Sequence, residues 1–183
     1  MLATIEPGTK FSRQHDKDEG AIFFSKTGRN RFDSPDGSFG VLYVGQDEYC
    51  AFIETFGQNT GIRLVTHTAL ERRHLSYLAI KTALTLVDLA SSGSLTRIGA
   101  DARLFSGSYA VAQRWSAALR ALPTRPAGIL YPARHDPARN ACALFDLPES
   151  TFDVDDAGSL SEGGHRLLLG KVLDRYDFGL IRS

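Results

Sequence analysis

The sequence predicts an α+β fold in one compact domain. Several short β-type runs are interspersed with short helical stretches and do not follow strict βαβ alternation, which separates this pattern from a doubly wound α/β sheet. The 183 residues lie within the size range of a single domain. No internal repeat, low-complexity tract or linker divides them.

In chain order, TKFSR (9–13) and AIFF (21–24) read as short strands on either side of the polar stretch QHDKDEG. Residues 26–40 read as loop, since KTGRNR is basic and DSPDGSFG is dense in turn residues. VLYV (41–44) is an apolar β-type run and predicts a buried strand ended by Gly45. Asp47 is a suitable N-cap for a helix over 48–56. In that helix Tyr49, Phe52, Ile53 and Phe56 recur at i, i+3, i+4 and i+7, the spacing of one buried stripe. Glu54 lies off the stripe, one turn from Cys50, where a cleft wall would put it.

IRLVTH (62–67), HLSYLAI (74–80) and LTLVDL (84–89) read as strands, with 68–73 as turn or helix and 93–98 as a helical turn. Residues 108–122 form the clearest helix. Tyr109, Ala112, Trp115 or Ser116, and Leu119 share a face, Trp115 reads as core, and Pro123 ends the helix. GILY (128–131) and ACALF (141–145) are two further strands around the polar PARHDPARN. The acidic, Gly- and Ser-containing stretch 148–164 predicts a loop or flap. Residues 165–175 read as a helix, and FGLI (178–181) as an edge strand.

Composition narrows the function. Lys plus Arg equals Asp plus Glu at 21 each, and this balance argues against direct, non-specific nucleic-acid binding, which needs a basic surface. Cys50 and Cys142 lack zinc-ligand spacing and read as buried thiols in a reducing compartment. The N-terminal stretch has no apolar core of signal-peptide length, and no run approaches the ~20 apolar residues of a membrane span. A soluble cytoplasmic protein is the expectation. GxGxxG after a strand, GxxxxGK[ST], HExxH and GxSxG are all missing, so a metal site is not expected. The five histidines are scattered. His135, in the polar loop between two strands, has the best claim to chemistry.

One constellation remains. Arg31 precedes a strand, Tyr43 lies in it, and Glu54 lies in the helix after it, spaced twelve and eleven residues apart. A planar guanidinium can clamp a phosphate through two parallel hydrogen bonds. A tyrosine ring can stack on a heterocycle while its hydroxyl reaches a ribose. A cleft carboxylate can hold a ribose hydroxyl and stabilise an oxocarbenium-like transition state. Each residue also has an ordinary reading: a solvated loop arginine, a core tyrosine, an exposed helix carboxylate.

The stretch RFDSPDGSFGVLYVGQDEYCAFIET resembles the signature of the RES domain. The resemblance continues through LTLVDL, AVAQRWSAAL and GILYPARHDPARNACALF. It implies a domain core over about residues 9–146 with a C-terminal extension over 147–183. It also implies a fold like that of ADP-ribosyltransferase toxins, and the activity of a bacterial toxin that breaks the nicotinamide–ribose bond of NAD+. Phosphate or water would be the acceptor. NAD+ would be substrate, so no cofactor is expected. The partner would be a helix-turn-helix antitoxin or an immunity protein, and a homo-oligomer stays open. The alternatives within the resemblance are a protein ADP-ribosyltransferase and a weakened binding module.

Carried over by position, the family arginine falls on Arg31, the tyrosine on Tyr43 and the glutamate on Glu54, with Arg13 at an early basic position of the same pocket. The family serine position holds Ala133, which has no side-chain hydrogen bond to offer. Arg134, His135 or Asn140 would then supply the missing contact.

Overall fold

The computed structural model describes residues 1–182. Its strands are β1 (Leu2–Ile5), β2 (Lys10–Asp16), β3 (Val41–Gly45), β4 (Leu64–Thr66), β5 (Arg73–Ile80), β6 (Leu84–Asp88), β7 (Gly128–Pro132), β8 (Asn140–Phe145), β9 (Phe152–Gly158) and β10 (Gly179–Ile181). Its helices are α1 (Glu48–Phe56), α2 (His67–Glu71), α3 (Ser94–Arg97), α4 (Arg103–Ser106), α5 (Tyr109–Arg120) and α6 (Arg166–Tyr176). Eight strands form one mixed sheet in the order β1-β6-β7-β8-β3-β2-β5-β9. Only β6 and β7 run parallel in it. The architecture is α+β, as the sequence predicts. No helix among the described residues is long and apolar enough to cross a membrane.

Strand alternation sorts the core into two faces. Val41 of β3, Ile129 and Tyr131 of β7, and Ala141, Ala143 and Phe145 of β8 share one apolar cluster with Ala112 and Leu119 of α5. Leu42 and Val44 of β3, Leu86 of β6, and Cys142 and Leu144 of β8 fill the other face. A third cluster joins Phe52 of α1 to Leu75 of β5 and Val172 of α6.

The feature that matters for function is a split in the sheet. β2 pairs with β5 from Lys10 to Asp16, and β3 with β8 from Val41 to Gly45. Between themselves β2 and β3 share one register pair, Ser12 with Gly45. Beyond it they diverge, and Ser25 takes the vacated edge of β3 through two main-chain hydrogen bonds with Val41 of 3.1 and 3.0 Å.

Helix α1 starts where Asp47 predicts: its side chain accepts the Cys50 N–H at 2.8 Å. Gly45 lets this helix sit close to β3. A Cβ there would lie 2.8 Å from the Ala51 main-chain nitrogen and 2.8 Å from the Cys50 Cβ.

Several expectations need correction. AIFF is not a strand. It has no ladder partner, and Ala21, Ile22 and Phe24 instead pack on the second apolar face. The strand expected over 62–67 shortens to β4, because Thr66 caps α2 by accepting the Ala69 N–H. β10 pairs with β4 in a separate two-stranded parallel sheet and does not edge the main one. The stretch expected as a flap contains β9, paired with β5 from Phe152 to Gly158. Main-chain pairing at a sheet edge needs no apolar side chains, so the run of exposed aspartates hides a strand. β1 and α4 were not legible. On α5, Ser116 is the buried member of the doubtful pair, and Trp115 packs partly buried against the first cluster. Cys50 and Cys142 are free and buried.

Candidate functional site

The split between β2 and β3 opens into a cavity of about 630 Å³, within the range of small-molecule sites. α1 and the turn after β7 complete its walls. Arg13, Arg31, Tyr43, Glu54, Arg134 and His135 all line it, so the topology gathers six residues that span more than a hundred positions of sequence. Small residues make the room. Across three strands, Tyr131 of β7, Ala141 of β8 and Gly45 of β3 are successive register partners on the cavity face.

Arg31 is buried on the loop before β3. Its Nη1 donates to the Gly107 carbonyl at 2.9 Å, and its guanidinium lies 4.5 Å over the Tyr109 ring. Burial pulls its pKa down, the nearby Arg134 charge adds to that, and Tyr109 and Glu54 oppose it. Its Nη2 is sealed from solvent with no partner. Arg13 projects from β2 across the split, and its Nη1 donates to the Tyr43 carbonyl at 2.7 Å. Burial lowers its pKa to about 10, with Glu19 opposing and Arg73 adding to the shift.

Among the described residues, three buried side-chain N–H groups have no hydrogen-bond partner: Arg13 Nε, Gln14 Nε2 and Arg31 Nη2. All three belong to residues that line this one cavity. Buried donors without acceptors are costly and uncommon in folded proteins. Five arginines line the cavity (residues 13, 29, 31, 73 and 134) against two glutamates, Glu19 and Glu54. The lining therefore carries an excess of cationic side chains.

Glu54 projects from α1, half-buried. Its Oε1 accepts the main-chain N–H of His135 at 3.2 Å, which ties the helix to the turn after β7. Its Oε2 has no partner among the described residues and is free for a ligand. Burial lowers the pKa of His135, against the pull of Glu54 and with the push of Arg134 and Arg31, so the imidazole is held towards its neutral form.

Tyr43 departs from expectation. Its ring lines the cavity, but its hydroxyl is engaged inside the protein. It donates to Asp33 Oδ1 at 2.9 Å and accepts the Phe32 N–H at 2.8 Å. Burial and the Asp33 charge push its pKa well up. The hydroxyl holds the loop that carries Arg31 and is not available to a ribose. The same loop is clamped from α5: Ser116 Oγ donates to the Phe32 carbonyl at 2.6 Å, and Gln113 Nε2 to the carbonyls of Gly28 and Asn30.

Asn140 is not brought into the site. It opens β8 facing opposite to Ala141, and its main chain pairs with Gln46. Ala133 is buried in the first apolar cluster, does not line the cavity, and donates its N–H to the Arg139 carbonyl at 2.8 Å. The sequence reading missed Gln14, Arg73, Tyr109 and Tyr131. Gln14 and Tyr131 sit in strand runs that look like structure alone, and Tyr109 was assigned to a packed helix face. No signal in one sequence separates them from core or surface residues.

The fold is shared with a chain of the crystal structure of the M. tuberculosis MbcT–MbcA toxin–antitoxin complex. The TM-score is 0.62 at 17% identity, covering 85% of this chain and 87% of that one. No curated protein is similar enough to count as a match. The RES domain profile matches residues 9–161, most of the chain. The protein belongs to the RES-domain family.

Proposed function

We propose that this protein is a toxin of a toxin–antitoxin pair that cleaves the nicotinamide–ribose bond of NAD+. The observation that carries the reading is the convergence of five arginines on one cavity that also holds Glu54. A dinucleotide supplies what such a site lacks: a doubly charged pyrophosphate for the guanidinium groups, and a ribose for the carboxylate. Family membership supports the same chemistry. The neighbouring structure, a toxin–antitoxin complex, supports a protein partner, here taken as a helix-turn-helix antitoxin.

In this mechanism the guanidinium groups of Arg31 and Arg13, which line the cavity, anchor the pyrophosphate. Arg31 is held for this by Gly107 and by the Tyr109 ring, so little ordering remains on binding. Glu54 Oε2 orients the ribose and stabilises positive charge as the glycosidic bond breaks. Nicotinamide leaves with the bonding electron pair, and an oxygen of phosphate or water attacks the anomeric carbon. NAD+ is consumed as substrate.

The test is nicotinamide release from NAD+, followed by chromatography with and without inorganic phosphate. Wild type is expected to release nicotinamide at least a hundredfold faster than Glu54→Gln, on the order expected for loss of one main electrostatic contact. Equal rates for the two proteins overturn the reading. Dependence on phosphate separates phosphorolysis from hydrolysis.

A further inference from the structure

The cavity contains a buried tyrosine hydroxyl that the mechanism above does not use. Tyr131 is 6% exposed and lines the cavity from β7. Its ring is enclosed by aromatic neighbours, Phe32 edge-on at 4.8 Å and Phe105 nearly parallel at 6.3 Å. In its own cross-strand row the next positions are Ala141 and Gly45, so nothing bulky stands between the side chain and the cavity.

Three other cavity hydroxyls are engaged within the protein, while those of Ser12, Thr55 and Tyr109 also line the cavity. Tyr43 bonds Asp33 and Phe32, and Ser25 and Thr27 bond each other at 3.0 Å. The Tyr131 hydroxyl has no partner among the described residues, and it is not among the polar atoms sealed from solvent. It therefore opens on the cavity. Burial and the charge of Glu54 push its pKa well up, with Arg31 opposing, so the phenol keeps its proton and the two charged residues of the site lie within electrostatic reach of it.

We propose that the Tyr131 hydroxyl is a substrate-positioning group that donates a hydrogen bond to a ribose or phosphate oxygen of a ligand in the cavity that Glu54 and Arg31 also line. This rests on the NAD+ reading and sharpens it.

The experiment measures, by calorimetry, binding of ADP-ribose to wild type and to Tyr131→Phe, and binding of NAD+ to the same pair in a Glu54→Gln background that limits turnover. Phenylalanine keeps both aromatic contacts, so the unfolding temperature is expected to be unchanged. Affinity for both ligands is expected to fall by about two- to tenfold, the range for one neutral hydrogen bond. In otherwise wild-type protein, Tyr131→Phe is expected to raise KM for NAD+ by a similar factor.

Four outcomes overturn the proposal. Equal affinities with and without the hydroxyl would be the first. A loss for NAD+ but not for ADP-ribose would place the contact on nicotinamide. A loss that tracks a lower unfolding temperature would make Tyr131 structural. If wild-type protein does not bind ADP-ribose, the NAD+ reading fails as well, and that result is distinct from the other three.

Discussion

Replacing Tyr43 by phenylalanine removes one oxygen and leaves the ring that walls the cavity. Two groups lose their partner. The Phe32 N–H, on a fully buried residue, donates to that hydroxyl at 2.8 Å, and Asp33 Oδ1 accepts from it at 2.9 Å. Asp33 is itself fully buried, and its other oxygen accepts from the Asn30 main chain and side chain. Leaving a buried polar group unpaired costs about 1–3 kcal/mol, and more for a charged one, so the pair puts the loss near ~3 kcal/mol. A chain of 183 residues loses about 2–4 °C per kcal/mol, which predicts a fall of roughly 6–12 °C in unfolding temperature. Calorimetry reads this directly. Nicotinamide release should fall with it, because Arg31 is the neighbour of Phe32 on the loop that loosens. In a double-mutant cycle with Asp33→Asn the two losses should not add, since both changes weaken one network. A fall of less than about 2 °C for Tyr43→Phe refutes the claim that its hydroxyl holds this loop.

Two further outcomes follow from packing and burial. Gly45→Ala puts a Cβ 2.8 Å from main chain of α1 and should destabilise by about 1–3 kcal/mol in urea unfolding. It should also slow nicotinamide release, because α1 carries Glu54; wild-type stability would show that the helix moves freely. His15 is buried, with Nε2 2.8 Å from Ser76 Oγ, and its pKa is lowered first by burial and then by the charges of Arg13 and His74, against Asp156 and the Asp16 carbonyl. The unfolded chain takes up that proton near pH 6.5 and the folded chain only at lower pH, so stability should hold above about pH 6.5 and decline below it. His135 is shifted in the same direction and adds to the decline. Unfolding temperatures at several pH values should show a shallower acid slope for His15→Gln, and an unchanged slope rules His15 out as a source.

Much of the element pattern was legible because it is local. VLYV is an apolar run, and Asp47 followed by the stripe of Tyr49, Phe52, Ile53 and Phe56 marks a helix start and its buried face. Where the reading failed, the cause was long-range. AIFF has strand composition but finds no ladder partner, and β9 has loop composition but finds the open edge of β5. The site divides the same way. Arg31, Glu54 and Arg13 could be named from residue type, spacing and resemblance. The hydroxyl of Tyr43 could not be assigned to Asp33, since the hairpin-like return that brings the loop back over β3 is tertiary.

The chain by itself determined the α+β class, the strand–helix segment that carries Tyr43 and Glu54, and membership of the RES family, because periodicity, capping and signature all act within a short window. The tertiary structure decided the cavity. It arises where β2 leaves β3 after one pair, and that divergence depends on Ser25 competing for the edge of β3 and on Gly45 admitting α1. It also decided which donors stay unpaired inside that cavity. An unpaired donor is a property of every neighbour around an atom, and no single stretch of sequence contains that list.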